Sequence, residues 1–168
     1  VCARFPELRR AYIRWPYPHL YEHPISIAAL TMERQHKGEA ILLAAKIRAP
    51  DQQTLAAIAE HIQRYRESPL EKISAFRQLM LLGRMPWFLR RFAFWSSSFF
   101  AASTRAKRLG TFMMSRLGAL GVEQMHPLTP LTTYLTFGPV GADGRVTVKV
   151  IYDHRVADGR QVARVLVD

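Results

Sequence analysis

The residues best suited to chemistry stand together near the end of the chain, in Tyr152-Asp153-His154-Arg155-Val156-Ala157-Asp158-Gly159, which offers an imidazole, two carboxylates and a guanidinium. An imidazole takes up and returns a proton near neutral pH, so His154 is the strongest general-base candidate in the sequence. His19, His23, His36, His61 and His126 stand among prolines, in loops or on a polar helix face, with no comparable set around them. Read from local composition alone, His154 is equally well a turn residue that bonds to backbone.

Two elements must position this stretch. Val146, Val148, Val150 and Tyr152 alternate with Thr147, Lys149, Ile151 and Asp153, the period of a strand with at least one buried face. Asp158 is suited to cap a helix, and from Gly159 onward Val162, Val165 and Leu166 fall on one helical stripe. His154 is then expected on a short turn at the end of a rigid strand.

The string Asp153-His154-Arg155-Val156-Ala157-Asp158-Gly159 resembles the Asp-His-Arg-x-x-Asp-Gly signature of the dihydrolipoamide acyltransferases of 2-oxoacid dehydrogenase complexes. It is more distantly similar to the His-x-x-x-Asp-Gly motif of chloramphenicol acetyltransferase. Gly110-Thr111-Phe112-Met113-Met114-Ser115-Arg116-Leu117-Gly118-Ala119-Leu120-Gly121 resembles a second segment of that family, and Phe5-Pro6-Glu7-Leu8 a third. The resemblance implies a two-layer α/β (α+β) sandwich, with a mixed sheet and helices packed on it. It implies acyl transfer between a thioester, of coenzyme A or of a lipoyl arm on another protein, and a thiol or other nucleophile. His154 would be the general base and Ser115 the hydroxyl donor to the carbonyl oxygen. Asp158 would cap the helix and pair with an arginine such as Arg155, and Arg155 and Gly159 would support the site. Such sites form between neighbouring subunits of a homotrimer. The chain departs from the pattern at Arg116 and Arg9, where the family has asparagine, and shows no likeness between Glu71 and Arg108, so the acyl pockets are expected to be remodelled. No lipoyl-type or subunit-binding segment is present in the sequence.

A chain of 168 residues, 49% hydrophobic and 22% charged, suits one globular domain over 1–168. Val1 is not an initiator methionine, and Asp168 follows about two turns of the last expected helix, so the domain is expected to be truncated at both ends. Cys2 is the single cysteine, which leaves no disulfide pair and no thiolate metal cluster, and favours a reducing compartment, the cytoplasm. The net charge of +11 suits coenzyme A, nucleic acid or an anionic membrane. There is no glycine-rich phosphate loop, and no nucleic-acid reading motif.

Along the chain, residues 2–12 have helical character, and Trp15-Pro16-Tyr17-Pro18 is extended, with aromatic rings expected to pack. Ile25–Met32 and Ala40–Ile47 read as a hairpin about Arg34-Gln35-His36-Lys37-Gly38. Asp51 is placed to cap a helix through Leu55, Ile58, Ile62 and Tyr65. Ser68-Pro69-Leu70-Glu71 is placed to launch another helix, which ends at Gly83 and Pro86. In 85–100, Trp87, Phe88, Phe92, Phe94, Trp95, Phe99 and Phe100 crowd around Arg90 and Arg91, with Arg105, Lys107 and Arg108 following, so that peripheral membrane contact is expected through 85–108. That stretch is too short to span a bilayer. It reads as a helix packed on the sheet, an interfacial membrane helix, an acyl-tunnel lining or a subunit contact. Strands are expected at Thr111–Ser115, Leu131–Phe137 and Arg145–Tyr152, with a turn at Gly141-Ala142-Asp143-Gly144. The rival to an enzyme is a non-catalytic trimeric module that binds a membrane or protein through this basic and aromatic surface.

Overall fold

In the two apolar runs about Lys37-Gly38, β-branched Ile27, Thr31, Ile41 and Ile47 favour extended backbone, and the runs pair as the antiparallel strands β1 (Ile27–His36) and β2 (Glu39–Arg48). Lys37 (φ 50°) and Gly38 (φ 83°) take positive φ, the twist-matched geometry of a two-residue hairpin turn. A computed structural model describes residues 4–99, 102–116, 121, 124, 125 and 127–167. Cys2, Phe100, His126, Asp168 and residues 117–120 of the second motif lie outside them.

Strands β3 (Phe112–Arg116), β4 (Thr133–Val140) and β5 (Val146–Tyr152) complete one mixed sheet of order β2-β1-β3-β4-β5. The pairs β1–β3 and β3–β4 are parallel, and β4–β5 is antiparallel. A parallel neighbour needs a long crossover. Helices α1 (Leu55–Glu67), α2 (Ser74–Arg84), α3 (Trp87–Phe99) and α4 (Ala102–Leu109) supply it between β2 and β3, and α5 (Gly159–Val167) follows β5. The expected mixed sheet with helices against it is therefore what forms. A small separate hairpin pairs Arg10–Ile13 with His19–Glu22, and Thr132 Oγ1 donates to the Arg10 carbonyl, tying it to the start of β4.

Leu43, Leu70, Ile73 and Phe76 form a buried cluster where α2 meets β2. Two cations of the hairpin hold helix C-termini, whose last carbonyls lack partners and carry partial negative charge. Arg34 donates to the carbonyls of Tyr65 (2.6 Å) and Ser68 (2.9 Å) at the end of α1. Lys46 donates to those of Lys107 (3.0 Å) and Arg108 (3.4 Å) at the end of α4. The start of β3 is latched to β1. Thr111 N–H donates to the Ile27 carbonyl at 2.8 Å, and the Thr111 hydroxyl accepts from the Ile27 N–H at 2.9 Å.

Several expectations are corrected. Among the described part of 2–12 there is a single 3-10 turn, Pro6–Arg9, followed by a strand, because Ala11 and Ile13 bury at period 2. Thr54, not Asp51, caps α1, accepting from the Ala57 N–H at 3.2 Å. Asp51 sits in a 3-10 turn, Pro50–Gln52. Ser68 closes α1 by donating to the Arg64 carbonyl, and Leu70–Lys72 is a short 3-10 turn before α2. Gly83 lies inside α2, while Pro86 does separate it from α3. Trp15 and Tyr17 are exposed, the Tyr17 ring lying 5.2 Å from that of His19, and Leu166, expected on the buried stripe of α5, is exposed too. Val146 and Val148 are exposed, since β5 is an edge strand. On α3, Trp87, Phe88, Phe92 and Phe94 face solvent, which rules out a helix whose aromatic side is covered by the sheet.

Candidate functional site

The ladder of the sheet carries one residue beyond β5, where Asp153 N–H donates to the Thr132 carbonyl at 2.9 Å. The chain then turns on the Asp153 carbonyl, which accepts from Val156 N–H (2.9 Å) and Ala157 N–H (3.2 Å), and Val156 and Ala157 are buried. The Asp153 side chain fixes the same turn, accepting from Arg155 N–H at 3.0 Å, from Arg155 Nε at 2.9 Å and from Nη2 at 2.6 Å. These charge-assisted bonds hold the Asp153 carboxyl below its ordinary value and raise Arg155 above its own. The Arg155 guanidinium also lies over the Tyr12 ring, 4.5 Å from its centroid.

His154 is exposed at the tip of this turn. Its ring rests 4.6 Å from that of Tyr152 at an interplanar angle of 52°. Gly159 leaves room for this arrangement, because a Cβ there would lie 3.2 Å from the Tyr152 hydroxyl oxygen. Asp158 caps α5 in a reciprocal pair: Gln161 N–H donates to Asp158 Oδ1 at 2.8 Å, and Asp158 N–H donates to Gln161 Oε1 at 2.9 Å. The expected pairing of Asp158 with Arg155 is not formed, since Arg155 is taken by Asp153, the nearer carboxylate on its own turn. A cleft of about 260 Å³ borders the turn, lined by Pro130, Leu131, Tyr152, Asp153 and Arg155 among others.

Ser115 is buried in β3. It lies in register with Thr136 of β4, and Thr136 with Lys149 of β5. Tyr152 is level with Phe112 instead. Two strand spacings across and three residues along put the Cα atoms of Ser115 and Tyr152 roughly 14 Å apart, with His154 farther still. One copy of the chain therefore brings Asp153, His154, Arg155, Asp158 and Gly159 together and leaves Ser115 apart. Among the described residues no hydrogen bond to the Ser115 hydroxyl is formed.

Two buried residues are linked to this turn by charge although nothing local in the sequence marks them, Arg105 through Asp153 and Arg155, and His23 through Arg105. His23 is buried, its ring 5.1 Å from that of Tyr21, and its pKa is lowered to about 4 by loss of water and then by the Arg105 charge. Arg105, on α4, is buried too; desolvation and the Arg155 charge lower its pKa, and Asp153 opposes them. Only long-range topology joins positions 23, 105 and 153, so no window of sequence could have shown it. Among the described residues no group of three or more His, Cys, Asp or Glu side chains is arranged for a metal ion.

No family model matches the chain, and no curated protein matches it in sequence. Solved structures match it in fold. A probable dihydrolipoamide acetyltransferase from Listeria monocytogenes is 17% identical with a TM-score of 0.58, over 99% of this chain and 62% of that one. The cubic core of a pyruvate dehydrogenase multienzyme complex is 19% identical with a TM-score of 0.58, over 99% and 60%. The dihydrolipoamide acetyltransferase of Azotobacter vinelandii is 17% identical with a TM-score of 0.58, over 99% and 60%. That last structure addresses the role of a serine, a histidine and an asparagine four residues beyond it in the catalytic mechanism. The chain thus has the fold of these acetyltransferase cores, and it spans about 60% of their length.

Proposed function

We propose that the chain is an acyltransferase that moves an acyl group between a thioester, on coenzyme A or a lipoyl group, and a thiol or other nucleophile. His154 Nε2 takes the proton of the incoming thiol, and the thiolate attacks the thioester carbonyl. The carbonyl oxygen gains negative charge and accepts a hydrogen bond from the Ser115 hydroxyl. The tetrahedral intermediate then expels the first thiolate, which takes the proton back from His154. No acyl-serine forms, and protons balance over the cycle.

The observation that carries this reading is the exposed imidazole of His154 on a turn fixed by Asp153–Arg155 and by the Asp158 cap. The order Ser115, His154, Asp158 and the spacing of the last two match the serine, histidine and asparagine of the Azotobacter vinelandii protein, with aspartate in place of asparagine. The separation of Ser115 from His154 fits a homotrimer in which the serine of one copy approaches the histidine of the next, with the cleft beside Tyr152 at the mouth of the site. A lipoylated protein or coenzyme A itself would bring the acyl group, and a cytoplasmic location fits both.

The test is a panel of acyl-coenzyme A thioesters assayed for thiol release against dihydrolipoamide and other acceptors, alongside oligomeric mass. Turnover on one of them should fall by orders of magnitude in His154→Ala, whose thermal midpoint should match the parent. Equal turnover in that variant would overturn the reading.

A second reading is favoured by the exposed aromatic rings of α3, interleaved with Arg90 and Arg91. Here the chain is a non-catalytic trimeric module whose α3 lies in a membrane interface. Among the described residues no helix is long and apolar enough to cross a membrane. Flotation with liposomes that requires anionic lipid, and that Trp87→Ala with Phe92→Ala abolishes, would support it.

A further inference from the structure

The three helices α2, α3 and α4 enclose a cleft of about 460 Å³. Ligand sites for small molecules run to roughly 300–1,000 Å³. Leu79 and Leu82 of α2, Phe94 of α3 and Leu109 of α4 give it apolar walls, while Arg90, Arg105 and Arg108 are the cationic residues on its lining. Among the described residues no carboxylate lines it. Between Glu71 and Glu123 the chain has no aspartate or glutamate at all, whereas nine lysines and arginines stand there.

Arg105 is the informative member. Only 9% of it is exposed, and its guanidinium makes no hydrogen bond and no ion pair among the described residues. Removing a cation from water without an acceptor is costly, and such groups are ordinarily paired. Asp153, the carboxylate whose field reaches it, is already clasped by Arg155. The second guanidinium, Arg155, makes the site still more electropositive, and burial adds to the demand for an anion.

We propose that this cleft binds a single-chain amphiphile, its carboxylate or phosphate head on Arg105 and its apolar tail along Leu79, Leu82, Phe94 and Leu109. The planar fork of an arginine suits both heads, which it can engage at two points. The apolar walls are what distinguish such a ligand from inorganic phosphate, and a concave space between three helices takes one chain and not a bilayer. The proposal does not rest on acyl transfer at His154, because binding can be read without turnover.

The experiment is calorimetric titration of the intact chain with laurate and with dodecyl phosphate, each below its aggregation concentration, against dodecanol and inorganic phosphate. We expect saturation at one molecule per chain for laurate or dodecyl phosphate, with whichever binds more tightly identifying the head. Dodecanol and phosphate should each bind at least about tenfold more weakly, the worth of one charge-assisted contact. Arg105→Gln should weaken binding by a similar factor. Ala93→Trp, which fills the cleft from α3, should abolish binding with the thermal midpoint kept, and carries the test if Arg105→Gln fails to fold. Arg91→Gln, on α3 but outside the cleft, should bind as the parent does. Dodecanol binding as tightly as laurate, phosphate binding as tightly as dodecyl phosphate, or undiminished binding in Ala93→Trp would each overturn the proposal.

Discussion

Arg155 grips Asp153 across the turn that carries His154, with Nε 2.9 Å from Oδ1 and Nη2 2.6 Å from Oδ2, while the Arg155 backbone N–H donates to the same Oδ1 at 3.0 Å. One carboxylate thus fixes both the backbone entering the turn and the side chain leaving it. Arg155 is largely exposed, so the pair adds little to global stability, about 1 kcal/mol or less. Its effect is on position. Arg155→Lys keeps the charge but loses the two-point geometry. We expect a thermal midpoint close to the parent and a kcat lowered by about 10- to 100-fold, the effect of a reacting group misplaced by an ångström. A fall in kcat matched by an equal loss of folded protein would assign Arg155 to stability alone.

If Ser115 and His154 act from different copies, each single variant is inactive while a mixture is not. Ser115→Ala should lower turnover about 100-fold, the usual effect of losing one oxyanion donor. His154→Ala should lower it further. Unfolding and refolding the two variants together at equal amounts should restore about a quarter of the parent's activity, because chance places an intact serine beside an intact histidine at that fraction of cyclic interfaces. No recovery in mixed assemblies would put both groups within one chain, contrary to the strand register.

His23 supplies a pH dependence. Its folded pKa of about 4 lies below the value of 6.5 in the unfolded chain, so as pH falls the unfolded chain takes the proton first. Stability from this group is intact above pH 6.5 and declines between 6.5 and 4, by up to about 3 kcal/mol. Asp153 acts lower on the scale: its pKa is depressed, so its contribution is present above the ordinary carboxylate value and is lost as pH falls through the lowered one. Urea midpoints between pH 7 and 4.5 should slope downward in the parent and flatten in His23→Gln. An unchanged slope in that variant would place the titration elsewhere.

Local pattern was enough for the sheet and for the turn. Alternation named β5, the polar run Arg34–Gly38 marked a hairpin, though its turn is only Lys37-Gly38, and Asp158 before Gly159 marked the head of α5, because each depends on residues within a turn or two of one another. Residues 10–13 misled, since two residues per face cannot distinguish a strand from a helical turn, and only pairing with His19–Glu22 decides it. Asp51 and Thr54 both suit a cap, and the left-handed Ala49 (φ 44°) before the 3-10 turn gave the position to Thr54. For the site, His154 and its turn were legible as one string. The burial of His23 and Arg105 and their charge coupling to it were not, because the chain reaches them through separate elements.

Gly110 and Thr111 set where β3 begins, and so where Ser115 stands. Gly110 has φ +92°, and a Cβ there would lie 2.9 Å from the Ile27 carbonyl oxygen and 3.0 Å from the Ala29 Cβ. Both obstacles are parts of β1, which cannot retreat without opening the sheet. Gly110→Ala should therefore cost about 1–3 kcal/mol from the backbone conformation alone, and more from the clash. Thr111→Val keeps the shape but removes the hydroxyl, leaving the buried Ile27 N–H without the acceptor now 2.9 Å away, at a cost of about 1–3 kcal/mol. Thr111→Ser keeps that bond and should cost much less. Urea midpoints should thus fall in the order parent, Ser variant, then Val and Ala variants. Because β3 is in parallel register with β1 only from Ala28 to Leu30, freeing that latch also lets Ser115 shift along the sheet. Turnover in Thr111→Val should consequently drop by more than its loss of folded protein explains, and a drop in strict proportion would confine the latch to stability.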